Sequence, residues 1–130
     1  MRIYKGTRSL DAVAGREFLD PDRLVVVDEG GVERPLQEVS EPDDYPITLS
    51  GGFEWGYGGS GPLNLAAAIL NDALGFVPAG SVVLDFCDSV IAELPRLDFE
   101  LRLDVVQAWL DARLERGSAA ARRAAGRQHF

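Results

Sequence analysis

The sequence predicts an α+β fold, a small and mainly antiparallel N-terminal sheet packed against about three helices. Two patterns carry that prediction. Before residue 50 the apolar residues fall in short runs, the clearest of them Val-rich, set off by turn residues; after residue 60 they recur at helical spacing over longer windows. Between the two regimes lie residues 52–62 (GFEWGYGGSGP), with five glycines and three aromatic residues among eleven. No other stretch is so unusual in composition.

Taken in order, residues 2–6 (RIYKG) read as a first strand and residues 7–22, polar and mixed, as a loop. Residues 23–28 (RLVVVD) are a clear strand, because β-branched side chains suit the pleated backbone. Glu29, Gly30 and Gly31 make a turn, and Val32 to Leu36 return as the hairpin partner. Pro35 has no N–H to give a sheet, so this return strand is short or lies on an edge. Residues 38–46 carry Glu38, Glu41, Asp43 and Asp44 with Pro42 and Pro46, an acidic surface loop, and residues 47–49 fit a further short strand.

Phe53, Trp55 and Tyr57 alternate with Glu54 and Gly56, a period of two that predicts an extended segment with three rings on one face and Glu54 on the other. Ser60, Gly61 and Pro62 then start a helix: Ser60 is an N-cap by residue type, Gly61 would also serve, and Pro is tolerated in the first turn. The helix covers residues 63–74, and Gly75 ends it. Leu63, Ala66, Ala67, Leu70 and Leu74 share one face, with Ile69 and Ala73 beside them. Asn64, Asn71 and Asp72 are the only polar members, so this is the central, mostly buried helix.

After a connector at residues 76–80, Val82, Val83, Phe86, Val90 and Leu94 fit a helix over 81–94, ended by Pro95; residues 81–86 alone also fit a strand. Residues 97–101 read as extended. A third helix covers 103–116, with Leu103, Val106, Leu110 and Leu114 on one face, Trp109 close by and Gly117 at its end. Residues 1–116 thus form one globular domain, and residues 117–130, rich in Ala, Arg and Gly, a flexible tail.

Composition narrows the functional classes. Cys87 is the only cysteine, which excludes an internal disulfide and fits a reducing cytoplasm. No run approaches the ~18–20 apolar residues that cross a membrane, and no apolar stretch of a signal peptide follows residues 1–6. Residues 117–130 carry three arginines and no acid, so the formal charge of −8 for the chain becomes −11 for residues 1–116. Such a body repels phosphate backbones and argues against nucleic-acid binding.

The glycine-rich stretch invites three motif readings. Residues 56–61 match G-x-G-x-x-G, but the strand before them would be short and would carry Glu54 where a buried parallel strand is apolar, and the other strands form a hairpin instead of alternating with helices. A nucleophile elbow, G-x-S-x-G, would need Gly where Pro62 stands, and the only histidine, His129, sits in the tail. One His and one Cys do not make a zinc site, so no metal or cofactor is expected. What remains is physical: a glycine loop running into a helix N-terminus offers free N–H groups and the positive end of the helix dipole to an anion. The competing reading is a tight corner that lets the backbone pass close to the aromatic cluster.

Residues 53–62 (FEWGYGGSGP) followed by a Leu/Ala helix resemble the signature of an uncharacterised family of short bacterial and phage proteins, domain of unknown function 6166. The resemblance extends to Tyr4-Lys5-Gly6, the Val-rich hairpin, Phe86 and Trp109-Leu110. It implies a bacterial or phage cytoplasmic setting and carries no activity, substrate or catalytic residue.

The functional expectation is a small acidic protein-interaction or regulatory module without catalysis, its partner another protein. The alternative is a module for a small anionic or nucleotide-like ligand, with Glu54, Trp55, Tyr57, Gly58, Gly59, Ser60 and Gly61 as its site; backbone N–H groups would hold the anion and Trp55 or Tyr57 stack on a flat group. An enzymatic reading with Glu54 as general base has no visible catalytic partner and ranks below both.

Overall fold

The computed structural model of the chain describes residues 1–8, 23–49 and 51–114. Four strands form one sheet: β1 (Arg2–Arg8), β2 (Arg23–Glu29), β3 (Val32–Pro35) and β4 (Phe99–Arg102), in the order β3-β2-β1-β4 with every neighbouring pair antiparallel. The helices are α1 (Ser60–Leu74), α2 (Gly80–Phe86), which runs on as a π-helical turn at Cys87–Ile91, and α3, described over residues 103–114. The expected α+β architecture is therefore present, with the C-terminal strand added to the N-terminal hairpin beside β1.

The period-two pattern decides which side of the sheet is dry. Tyr4, Val25, Val27, Phe99 and Leu101 are buried against the helices, while Glu100 and Arg102 on the other face are exposed and Lys5 pairs with Asp28 there at 2.8 Å. Gly30 and Gly31 turn the β2–β3 hairpin, and the Gly31 N–H donates to Asp28 Oδ1 at 2.8 Å. β3 lies on the edge, as Pro35 requires. α1 is buried from Asn64 to Leu70, consistent with its expected central place, and Gly75 closes it in the left-handed conformation with its N–H on Asn71 O. Its core contacts include α2 and the π-helical turn, and Phe86 meets Trp109 of α3 edge-on with ring centroids 5.0 Å apart.

One polar cluster ties the end of α1 to the sheet. Asp72 accepts from the Tyr4 hydroxyl at 2.8 Å, from Arg2 Nη1 at 3.2 Å and from Arg34 Nη2 at 2.9 Å; Arg2 also donates to the Asp72 main-chain oxygen at 3.1 Å. Glu29 completes the cluster, 3.2 Å from Arg2 Nε and 3.1 Å from Arg34 Nη2. Two cations and two carboxylates thus balance, and three donors from β1 and β3 converge on one helical carboxylate. Burial, reinforced by the bond to Asp72, raises the Tyr4 hydroxyl above the ordinary tyrosine range, so it stays a donor.

Several boundaries differ from expectation. β1 continues through Thr7 and Arg8, β2 includes Glu29, and β4 is Phe99–Arg102 instead of 97–101. Residues 47–49 form no strand, because the Leu49 N–H donates to Glu41 Oε2 at 2.9 Å and is lost to a ladder. Ser60 is the first helical residue and Gly59 the N-cap, with no side-chain cap. The second helix begins at Gly80 and is π-helical over its last five residues, Cys87–Ile91, followed by turns before Pro95. The expected loop at 9–22, the end of α3 at Gly117 and the tail at 117–130 lie outside the described residues.

Asp72→Ala should lower stability by about 1.5–3 kcal/mol, since it leaves Tyr4 and two arginines without their shared carboxylate; Asp72→Asn, which keeps an acceptor, should lose less. Urea denaturation with an unchanged m-value reads this directly. A second expectation concerns acid. The Lys5 ammonium and then the Gly31 N–H hold Asp28 below the usual carboxylate range, and the Leu49 N–H does the same for Glu41. Depressed folded-state values stabilise the fold above the unfolded pKa and cease to do so as pH falls through the folded values. Stability should therefore hold from pH 7 to about 5 and fall below about pH 4, and Asp28→Asn should flatten that fall in a pH series of denaturation curves.

Candidate functional site

The glycine-rich stretch crosses from the sheet side of the molecule to α1. Its alternation of rings does not survive as an extended segment, because Gly56 takes φ +83° and turns the chain between Trp55 and Tyr57. The three rings consequently go to three environments: Phe53 is half-buried, Trp55 is 0% exposed and Tyr57 is 42% exposed. The Trp55 Nε1–H donates to Leu97 O at 3.0 Å, and its ring meets Phe99 of β4 edge-on at 5.0 Å.

Two of the glycines are there for close approach. A Cβ on Gly56 would lie 3.0 Å from Arg96 Cγ and 3.1 Å from Arg96 Cα, and the Gly56 N–H donates to Ile91 O at 3.0 Å. A Cβ on Gly61 would lie 2.7 Å from Glu54 Cβ, so Glu54 packs its aliphatic stem on the first turn of α1. Buried Asn64 donates from Nδ2 to Gly52 O at 3.3 Å, which fastens the start of the loop to the same turn. Gly58, Gly59 and Ser60 are exposed, and Tyr57 lies over Gly59.

The expected site residues therefore divide. Trp55 belongs to the core and offers no stacking surface. Glu54 and Gly61 form a packing contact. Tyr57, Gly58, Gly59 and Ser60 remain on the surface at the N-terminus of α1. Among the described residues no group of three or more His, Cys, Asp or Glu is arranged to hold a metal ion. Cys87 is buried, and burial pushes its thiol up to about 11, so it is protonated at neutral pH. No described helix is long and apolar enough to cross a membrane.

The comparison with family models returns the Family of unknown function (DUF6166) over residues 4–112. The chain belongs to this family. The match runs from within β1 into α3, so the DUF6166 unit takes in most of the described sheet, the glycine-rich corner, α1, α2 and most of the described part of α3. Neither the comparison with curated proteins nor that with solved structures returned a match.

A second surface feature of this DUF6166 domain was not anticipated from sequence. A groove of about 330 Å³ opens between the end of α1, the connector after it, α2 and α3, and is lined mainly by apolar side chains. Leu74 stands at its rim, and Phe76 and Leu114 are 59% and 69% exposed. Leu110 and Val82 form part of its lining, and Arg113, held by Asp85 at 3.0 Å, lies beside them. Helical periodicity assigned Leu74 and Leu114 to buried faces because both continue a stripe; each sits at the end of its described helix, where the stripe runs past the core.

Trp55→Ala should cost about 3–5 kcal/mol, the range for emptying a large aromatic site. Tyr57→Ala, at a ring that is 42% exposed, should cost less than half as much. Parallel urea or thermal melts separate the two, and a Tyr57 loss as large as that of Trp55 would contradict the assignment of rings made above.

Proposed function

We propose that the domain is a protein-interaction module of regulatory type, acting without chemistry of its own, and that another protein docks apolar side chains into the groove bordered by Leu74, Phe76 and Leu114. The observation that carries this reading is the joint exposure of Phe76 and Leu114 in the lining of a preformed, mainly apolar recess. Apolar side chains grouped at a recess gain most from a partner that removes them from water, whereas scattered ones are ordinary. The strongly acidic body directs the choice of partner away from nucleic acid. The setting that suits a single cysteine and the family signature is the cytoplasm of a bacterium or of a phage-infected cell.

A second reading keeps a small anionic ligand at the glycine corner. It is supported by one observation, the exposed Tyr57 ring beside exposed Gly58, Gly59 and Ser60 at the start of α1.

The experiment compares wild type, Phe76→Asp, Leu114→Asp and Tyr57→Ala, each verified as folded by circular dichroism. A partner recovered from host extract, purified and titrated back should bind the two groove variants at least tenfold more weakly and Tyr57→Ala as well as wild type. Undiminished binding by both groove variants overturns the docking face. Saturable binding of inorganic phosphate or ATP that Tyr57→Ala abolishes would move the function to the glycine corner.

A further inference from the structure

β4 ends the sheet on the side away from β3. An antiparallel neighbour satisfies only alternate residues of a strand, and β1 takes one side of β4. Among the described residues no hydrogen bond, backbone or side-chain, reaches the other side. The two edges of the sheet are not alike. β3 carries Pro35, a common device against edge pairing. β4 carries no proline and keeps a clean alternation, with Phe99 and Leu101 buried and Glu100 and Arg102 exposed.

We infer that β4 pairs with β4 of a second copy of this chain, antiparallel, about a two-fold axis through Leu101, joining two four-stranded sheets into one continuous eight-stranded sheet. The charge pattern selects both the occupant and the register. Residues directly opposite in an antiparallel pair share a face of the sheet and interact, opposite charges favourably and like charges unfavourably. An axis through Leu101 sets Glu100 of each copy opposite Arg102 of the other, giving two ion pairs from one short strand. An axis through Glu100 would set Glu opposite Glu, and one through Arg102 would set Arg opposite Arg. An axis between residues would place Glu100 opposite Leu101, whose side chains lie on opposite faces, and a two-fold axis normal to the sheet conserves faces, so that register is excluded. Only the Leu101 register is self-complementary, which is what a two-fold interface demands.

The ladder in that register stops at Arg102, because α3 begins at residue 103, so Asp98 and Asp104, which the same axis would bring opposite one another in a longer strand, fall outside it. Arg102 already meets Asp104 at 2.7 Å across an exposed contact. A guanidinium has five N–H donors, so it serves Glu100 of the second copy without giving up Asp104. This inference is independent of the groove; the two surfaces share no residue.

The test is the mass of the full chain in solution, by sedimentation equilibrium or light scattering across a wide concentration range, with the fold of each variant checked by circular dichroism. The wild-type mass should rise from 14.1 kDa toward twice that value as concentration increases. E100R places arginine opposite arginine and should weaken association at least tenfold; R102E, the second single variant, does the same with two acids. The double variant E100R/R102E restores opposite charges in the same register and should regain the wild-type dimer. A wild type that stays monomeric at every concentration overturns the inference, as does an E100R that dimerises like wild type. Failure of the double variant to recover the dimer overturns the register on which it rests.

Discussion

Trp55 is withdrawn from water entirely, its N–H taken by the Leu97 carbonyl and its ring set edge-to-face with Phe99. A ring of that size can be buried only where the backbone on both sides of it allows the approach. Gly56 supplies this on one side, by turning through positive φ against Arg96 and by giving its N–H to Ile91. The indole thus joins the glycine corner to β4, and the neighbouring Gly56 N–H joins the same corner to the end of the second helix. β4 is the strand that the last third of the chain contributes to an otherwise N-terminal sheet, so the contact that seats Trp55 also helps fix the sheet to the helical half.

The second tie is polar and lies at the other end of α1. Asp72 collects Tyr4, Arg2 and Arg34, and through them the end of α1 is set against β1 and β3. The two ties act differently. Burial of Trp55 is insensitive to salt and pH, whereas the Asp72 cluster is partly exposed and weakens with screening. With its N-terminal turn held by Asn64 on Gly52 and by Glu54 on Gly61, and its C-terminal side through Asp72, α1 has little freedom to shift against the sheet. That rigidity suits a surface whose recess is already formed before anything enters it.

Much of this was legible in the sequence, and the failures have a common cause. The Val-rich hairpin, the edge position that Pro35 imposes, the central helix and its Gly75 stop all follow from local rules, and each is present. The alternation of Phe53, Trp55 and Tyr57 was a true period of two in the letters but not in space, because one residue between them was free to take a conformation the others could not. The strand expected at 47–49 was lost to a carboxylate eight residues earlier, a contact no local pattern announces. Tyr4, Arg2 and Arg34 are ordinary strand residues until folding brings them to Asp72. The glycines pointed correctly to a close approach; they did not say whether the approaching body was a ligand or the protein's own Arg96 and Glu54. For the groove, the signal was present as apolar residues at helix ends, where periodicity alone cannot tell a core position from one just beyond it.

The π-helical turn at Cys87–Ile91 has a consequence for how this stretch of chain tolerates change in length. A π turn holds one residue more than the α-helical turn it replaces, and here the Ala92 N–H reaches back to Cys87 O at 2.8 Å while Ile91 O receives Gly56. Deleting a single residue between 87 and 91 would leave a perfectly good α-helix, so local secondary structure would raise no objection. Everything after the deletion would nevertheless be rotated by about a quarter turn, and Ile91 O would no longer face the corner that seats the indole. Length at this point is therefore fixed by a partner far away in sequence, and relatives that lose a residue here would have to alter the glycine corner at the same time.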